Sequence, residues 1–135
     1  GELDEGQNWE GFMFAGHYGL DRLTAIIDVN GQQLDGYTKD VMDTGDIAAK
    51  MRAFGWNTIE TDGHDIEKLY KAFAEAKANT GAPSAIVMHT QKGHGCCFAE
   101  NIVNNHHINF KPEQMKEALE KAGAVLDEAR AALLK

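Results

Sequence analysis

An α/β fold, with a parallel sheet and helices on both faces, is predicted by two observations on the sequence. The run Leu23–Ile27 is almost wholly apolar, which is typical of a strand buried between two layers of helices. Strand-like and helix-like segments then alternate along the chain, in the order helix, strand, helix, strand, helix, strand, loop, helix. Such alternation indicates parallel strands joined by crossover helices. Because three strands make a thin sheet, we expect further strands on another segment.

The first half of the chain is expected to contain a helix on either side of this strand. Residues 1–7 should form a loop that leads into a helix over residues 9–18, where small residues among the apolar ones would let another backbone approach closely. A short helix is predicted from its N-cap, Asp46, through Phe54. Gly55 is the glycine that should end this helix.

The second half is expected to alternate in the same way. The pattern of Trp56–Glu60 predicts a second strand, and Asp65 is placed to cap a helix over Ile66–Ala78. A third strand is predicted at Ser84–His89, and Pro112 marks the start of a last helix. Apolar spacing predicts one buried face on each of these two helices. The two faces comprise Ile66, Leu69, Tyr70, Phe73 and Ala76 on the earlier helix, and Met115, Leu119, Ala122, Leu126, Ala129 and Leu133 on the last.

The composition excludes several classes of protein. The 135 residues suffice for one compact domain, and a formal net charge of −8 at pH 7 argues against sequence-independent nucleic-acid binding. The sequence contains neither an apolar run of about 18 residues, as a membrane span requires, nor a signal peptide. The adjacent Cys96 and Cys97 offer no disulfide framework and no zinc-site spacing, which indicates a reducing, cytoplasmic compartment. The chain begins at Gly1 without a methionine, and we expect it to be a piece of a larger protein.

The loop Asp28–Gly36 follows the first predicted strand and is rich in oxygen donors. Ligands of parallel sheets bind outside the carboxyl ends of the strands, so this loop is placed where a ligand would bind. Asn30 offers a side-chain carbonyl and Gln32 a backbone carbonyl, and such oxygens suit a hard cation such as Mg²⁺. The alternative interpretation is an ordinary Asn-Gly turn.

A second candidate region is the long loop of residues 90–111. Lys92 lies beside glycine directly after a strand and can meet a phosphate, although the spacing of a P-loop is absent. His106 and His107 can act as general acid or base, or donate to an oxyanion; the alternative is a pair of surface histidines. We expect this loop to gather at one edge of the sheet with residues 1–7 and the Asn30 loop. Three further histidines are interpreted as structural: His17, His64 and His89.

Together these residues resemble the thiamine-diphosphate-binding domain of transketolase. The run Gly1–Glu10 resembles the part of the family's diphosphate motif that begins at its last glycine. Ala15–Leu20 resembles the following helix end, and Asp28–Asn30 falls at the closing asparagine of the motif without a gap. The Thr90–Gly95 turn and His106 support the resemblance, which covers most of the chain.

The resemblance implies a set of site residues within residues 1–135, as part of a diphosphate-binding (PP-type) domain. Asn30 matches the side-chain metal ligand and Gln32 the backbone-carbonyl ligand, for Mg²⁺ or Ca²⁺. The amide of Gly1 would meet the diphosphate, with Glu2 beside it. Lys92 matches a basic position near the cofactor. His106 resembles a loop histidine that contacts the diphosphate and assists catalysis.

The implied function is the transfer of a two-carbon ketol unit from a ketose phosphate to an aldose phosphate, with the thiazolium of thiamine diphosphate as electron sink. The implied pathway is the pentose phosphate pathway. The implied partners are sugar phosphates and the pyrimidine-binding domain or subunit, in a homodimer or heterotetramer. Glu5 and Glu10 resemble interface glutamates that couple paired active sites, whereas a solvated helix end is the alternative interpretation of this acidic cluster.

The sequence departs from the family in two places. The aspartate of the motif would lie just before Gly1, and Asn105-His106-His107 stands where the family usually has Trp-His-Gly. Because parts of the site would lie elsewhere, we expect this chain alone to be incomplete and inactive. The alternatives are another thiamine-diphosphate enzyme, such as a deoxyxylulose-phosphate synthase or a 2-oxo-acid dehydrogenase subunit, and a non-catalytic α/β interaction module.

Overall fold

The computed structural model describes residues 1–100, 102–103, 105–107 and 109–134. After a short 3₁₀ helix at Glu2–Asp4, these residues form five helices and five strands. In chain order they are α1 (Gly6–His17), β1 (Thr24–Val29), β2 (Gln32–Gln33), β3 (Gly36–Tyr37), α2 (Thr38–Val41), α3 (Ile47–Ala53), β4 (Asn57–Asp62), α4 (Ile66–Ala78), β5 (Ser84–His89) and α5 (Pro112–Leu133).

The main sheet has three parallel strands in the order β1-β5-β4. Ile86 of the central strand pairs in register with Ile26 of β1 and Ile59 of β4. The predicted parallel sheet is therefore confirmed. The small antiparallel hairpin of β2 and β3 was not among the expected elements, since two-residue strands leave no periodic pattern in the sequence.

Helices cover both faces of the sheet, as predicted. Ala85 and Val87 of β5 face a core shared by α1 and α3, in which Met51 is fully buried. Ile86 faces the opposite side, where Ala72 of α4 packs. Alternate residues of one central strand thus divide the core into two layers.

The prediction of a first strand buried on both faces is wrong. Ile27 is buried against the α1–α3 layer, but Ile26 on the other face is 52% exposed. The reason is that β1 lies at the sheet edge, while the contacts of α4 are with β4 and β5. The strand also begins and ends later than expected, at Thr24 and Val29.

The predicted apolar faces of the last two helices also need correction. The range of α4 is as expected, and Ala76 of the predicted face is buried, together with Ala72, which was not predicted. Ile66 and Tyr70 of that face are instead 78% and 75% exposed. Small side chains pack here because they let the helix lie close to the sheet. No described residue of α5 is buried, so its apolar stripe faces outward in this structure.

Several local signals gave the right boundaries. Asp65 accepts a hydrogen bond from the backbone N–H of Lys68 and caps α4, and Gly55 follows α3 with a positive φ of 84°. Pro112 begins α5 as expected. Other boundaries differ: α1 runs over Gly6–His17 rather than residues 9–18, and β4 runs over Asn57–Asp62 rather than Trp56–Glu60.

Helix α1 packs against the chain that follows α3. The indole N–H of Trp56 donates to the carbonyl oxygen of Phe12 at 2.9 Å, and the two rings meet edge to face. At Gly16 a Cβ would overlap the carbonyl oxygen of Phe54. The expected role of a small residue in close backbone approach is therefore confirmed at this position.

Replacing Asp46 by alanine is expected to lower the free energy of unfolding by about 1 kcal/mol. The Asp46 carboxylate accepts a hydrogen bond from the Ala49 N–H at 2.8 Å, and alanine would leave this donor of α3 without its cap. Asp46→Asn keeps a capping oxygen and should retain most of the stability. Urea denaturation of the complete protein checks both variants, and equal loss in the two would contradict the capping role.

Candidate functional site

A cleft of about 700 Å³ opens at the carboxyl end of β1. Four residues predicted from the sequence to form the site line it together, namely Gly1, Glu2, Asn30 and Gln32. The first loop and the Asn30 loop therefore meet at one edge of the sheet, as expected. The rest of the wall is formed by residues of β3 and α2 and by the residues that lead into α3.

Asn30 is held by two hydrogen bonds. Its Nδ2 donates to Asp28 Oδ2 at 2.9 Å, and its Oδ1 accepts from the backbone N–H of Gln32 at 2.9 Å. Gly31 between them has a φ of 73°, a conformation that glycine adopts without strain. The other Asp28 oxygen accepts a hydrogen bond from the hydroxyl of Thr90. The Asn30 side chain is thus fixed at the carboxyl end of β1. Asp28 links it to Thr90, the first residue of the long loop.

The start of the chain packs directly on this loop. A Cβ on Gly1 would lie 3.2 Å from the Cβ of Gln33, so a side chain there would crowd the contact. Asn8 of α1 donates to the Glu2 carbonyl oxygen at 2.6 Å, and the Asp4 N–H donates to the Gly1 carbonyl oxygen at 3.0 Å. These bonds fix the first turn of the chain against the start of α1.

The donors in the cleft fit a hard cation shared with a phosphate. In the described part of the chain no group of three or more His, Cys, Asp or Glu residues could hold a metal. The two residues predicted from the sequence to offer ligand oxygens, Asn30 and Gln32, both line the cleft. Mg²⁺ commonly takes few protein ligands and completes its shell with phosphate and water. Gln32 lines the cleft, and its side-chain oxygen is buried without a hydrogen-bond partner among the described residues. Buried polar atoms normally find one, which fits a polar ligand at this cleft.

The structure places the other two predicted residues apart from this cleft, in the long loop. Lys92 Nζ lies 3.3 Å from His106 Nδ1, and the rings of His106 and His107 meet edge to face at 4.7 Å. Lysine has no acceptor, so His106 accepts at Nδ1 and a neutral ring carries its proton on Nε2. The residues predicted from the sequence thus form two groups, one lining the cleft and the other being the pair Lys92 and His106 in the long loop. Thr90, two residues before Lys92, donates a hydrogen bond to Asp28 beside the cleft. Asn101 and Asn104, which precede His106 in the sequence, lie outside the described residues.

The long loop has a folded interior. Gly93 has a φ of 80°, and a Cβ on it would lie 2.6 Å from the carbonyl oxygen of Ala99. The same oxygen accepts a hydrogen bond from Asn105 Nδ2 at 2.8 Å. The residues next to Lys92 and next to His106 therefore converge on Ala99.

One residue near the loop was missed by sequence reasoning. His64, interpreted as merely structural, accepts a hydrogen bond at Nε2 from the backbone N–H of Gln91 at 2.8 Å. A usable signal existed, because His64 follows β4 as Asn30 follows β1, and the carboxyl ends of parallel strands lie together. By contrast, the ring of His89 meets Glu60 at 3.3 Å, and His17 stays at the end of α1.

The turn that presents His64 has two aspartates whose carboxylates accept hydrogen bonds from backbone N–H groups. The pKa of Asp62 is held below its usual range, mainly by the hydrogen bond from the His64 N–H and secondly by the hydrogen bond from the Lys68 ammonium. The backbone N–H of Lys68 holds the pKa of Asp65 down as well. Because these pKa values are lower than in the unfolded chain, the turn gains stability above the unfolded values and loses it as the pH falls through the folded ones.

Loops at the carboxyl ends of parallel strands and an oxygen-lined cleft at one of these loops are typical of a parallel α/β ligand-binding domain. The model of the family "Transketolase, thiamine diphosphate binding domain" matches residues 1–130. The chain therefore belongs to the transketolase thiamine-diphosphate-binding domain family.

Relatives and solved structures agree with this membership. The chain is 42% identical over 127 residues to the 6-deoxy-6-sulfo-D-fructose transketolase subunit SqwG of Clostridium sp., covering 92% of this chain and 46% of SqwG. It is 38% identical to one of the subunits of the apulose-4-phosphate transketolase of Actinobacillus succinogenes, covering 90% and 44%. The fold superposes on the Campylobacter jejuni transketolase with a TM-score of 0.82 at 27% identity, covering 91% of this chain and 19% of that one. The chain thus spans less than half the length of these relatives. None of the described helices is long and apolar enough to cross a membrane.

Proposed function

We propose that this chain is part of a transketolase that transfers a two-carbon ketol unit from a ketose phosphate to an aldose phosphate. Within it, residues 1–135 would form part of the domain that holds the diphosphate and Mg²⁺ of thiamine diphosphate. The observation that carries the proposal is the meeting of Gly1, Glu2, Asn30 and Gln32 in one cleft at the end of β1. Family membership supports the same conclusion.

In the cleft, the proposed metal ligands are Asn30 Oδ1 and the backbone carbonyl of Gln32. The metal would neutralise phosphate charge and fix its orientation. The Gly1 amide would donate to the diphosphate, and Glu2 would border it. When bound, the cofactor supplies the electron sink for ketol transfer.

In the long loop, Lys92 and His106 are proposed to act as a pair. Lys92 occupies Nδ1 of His106, which leaves Nε2 to donate a hydrogen bond outward. A donor of this kind can contact the diphosphate or stabilise negative charge that develops during the reaction. We therefore assign His106 as the catalytic residue of this chain and Lys92 as cofactor-binding.

The substrate assignment has a second candidate, because the chain is 42% identical to a 6-deoxy-6-sulfo-D-fructose transketolase subunit. A sulfonated ketose would undergo the same ketol transfer, with a sulfonate in place of the phosphate. The proposed partner is the pyrimidine-binding domain or subunit. The proposed assembly is a homodimer or heterotetramer in which Glu5 and Glu10 lie at the interface between paired active sites. Relatives named as subunits favour the divided form. The proposed location is the cytoplasm.

The proposal is tested in the complete protein that carries this chain, with its partner subunit where it has one. We expect saturable binding of thiamine diphosphate that requires Mg²⁺, and ketol transfer from a ketose phosphate to an aldose phosphate. Faster turnover of 6-deoxy-6-sulfo-D-fructose would select the second candidate. Absence of cofactor binding would contradict both and favour the non-catalytic interaction module.

Replacing Lys92 by alanine should weaken thiamine diphosphate binding by roughly tenfold or more. The change removes a positive charge and its contact with His106, and hydrogen bonds of charged groups are worth about 1.5–3 kcal/mol. Lys116→Ala is the matched control, because Lys116 is exposed on α5 and lies 3.9 Å from Glu120. Fluorescence titration with Mg²⁺ present measures both variants, and equal affinities would refute the role of Lys92.

A further inference from the structure

His64 contacts the long loop on both sides of Lys92. Its Nε2 accepts from the Gln91 N–H at 2.8 Å, one residue before Lys92. Its ring also stacks on His94, two residues after Lys92, with ring centroids 3.7 Å apart and an interplanar angle of 23°. A residue from the β4–α4 turn therefore holds the segment from which the Lys92 side chain departs.

The stacked partner is itself anchored within the loop. His94 Nδ1 lies 3.1 Å from Glu100 Oε1, and the same oxygen accepts from the Gly95 N–H at 3.3 Å. Glu100 directly follows Ala99, on which the Gly93 and Asn105 contacts converge. His94 thus connects His64 to the part of the loop that leads to His106.

The turn leaves His64 little freedom to move away. The Asp62 carboxylate accepts from the His64 N–H at 3.0 Å, and the Gly63 N–H donates to the His89 carbonyl oxygen at 3.0 Å. A Cβ on Gly63 would overlap the methyl group of Thr90. The turn is therefore packed against the end of β5, where the long loop begins.

We propose that His64 is a positioning residue that sets the geometry of the Lys92–His106 pair, by holding the Gln91 amide and stacking on His94. This inference rests on the proposed function of that pair. The acceptor at Nε2 requires a neutral ring with its proton on Nδ1. Without this contact the backbone beside Lys92 gains conformational freedom, and binding a ligand in the ordered geometry then costs more entropy.

Two variants separate the contacts of His64. His64→Phe keeps an aromatic face for His94 but offers no acceptor, whereas His64→Gln offers a carbonyl oxygen near the position of Nε2 without a ring. In the complete protein, His64→Phe should weaken thiamine diphosphate binding in the presence of Mg²⁺ by roughly threefold to tenfold. It should also accelerate hydrogen exchange of the Gln91 amide, and His64→Gln should recover most of both properties.

The control variant is His89→Phe, because the ring of His89 meets Glu60 rather than the loop; it should match the wild type in both measurements. Wild-type affinity and exchange in His64→Phe would overturn the inference, as would a His64→Gln variant as impaired as His64→Phe. Lys92→Ala distinguishes the positioning role from the proposed function. Normal affinity in Lys92→Ala contradicts the proposed function, whereas weak binding there with normal binding in His64→Phe overturns the positioning role alone.

Discussion

Asn30→Ala is expected to abolish Mg²⁺-dependent binding of thiamine diphosphate. The substitution removes the proposed metal ligand Oδ1, and it also removes the hydrogen bonds to the Gln32 N–H and to Asp28 that shape the loop. Since Mg²⁺ takes few protein ligands, the loss of one of them has a large effect. Calorimetric titration of the complete protein, with and without MgCl₂, measures the change.

Asn57→Ala provides the matched control for this experiment. Asn57 lies at the amino end of β4, where its side chain meets Ser84 Oγ at 3.4 Å, and the opposite end of the sheet carries the cleft. This variant should bind the cofactor as the wild type does. Undiminished affinity in Asn30→Ala would refute the metal assignment, provided that its thermal unfolding shows a folded protein.

Gly16→Ala is expected to cost about 3 kcal/mol or more of the free energy of unfolding. The new Cβ would overlap the backbone carbonyl oxygen of Phe54, so helix α1 would have to move away from the core. Overpacking commonly costs about 1–3 kcal/mol, and a backbone atom cannot swing aside as a side chain can. Chemical denaturation of the complete protein gives the value.

The same helix supplies the control, because a Cβ on Gly11 meets nothing within 4 Å. Alanine is the better helix former, so Gly11→Ala should raise the free energy of unfolding by about 0.5–1 kcal/mol. The two glycines thus differ in the sign of the expected change. Similar stabilities for the two variants would show that α1 does not pack as described.

The features of the fold predicted correctly are those encoded within a few residues. The caps Asp46 and Asp65 act on amides three residues further on, and the range of α4 follows from local signals. The exposure of Ile26 could not be predicted, because it depends on which strand and helix lie beside β1. For the same reason, apolar spacing indicated Ala76 but not Ala72, and it could not show that the large apolar residues of α4 stay exposed.

The candidate site shows a similar division. Asn30 and Gln32, which line the cleft, could be predicted as candidates because a loop rich in oxygen donors directly follows an apolar run. His64 was missed because its hydrogen-bond partner, Gln91, lies 27 residues away in another loop. The sequence places His64 just after a strand, but it does not show that β5 is the neighbour of that strand, and the contact with Gln91 depends on this pairing.

The exposed position of β1 has a consequence for how the sheet can grow. An edge strand presents a row of backbone N–H and C=O groups, which natural proteins usually protect with charge, proline or a covering segment. On β1 the half-exposed Ile26 lies along that edge, with the half-exposed Leu23 just before the strand, and Asp28 is its charged residue. This side of the sheet is therefore suited to extension by another strand, which would pair with the free backbone groups of β1.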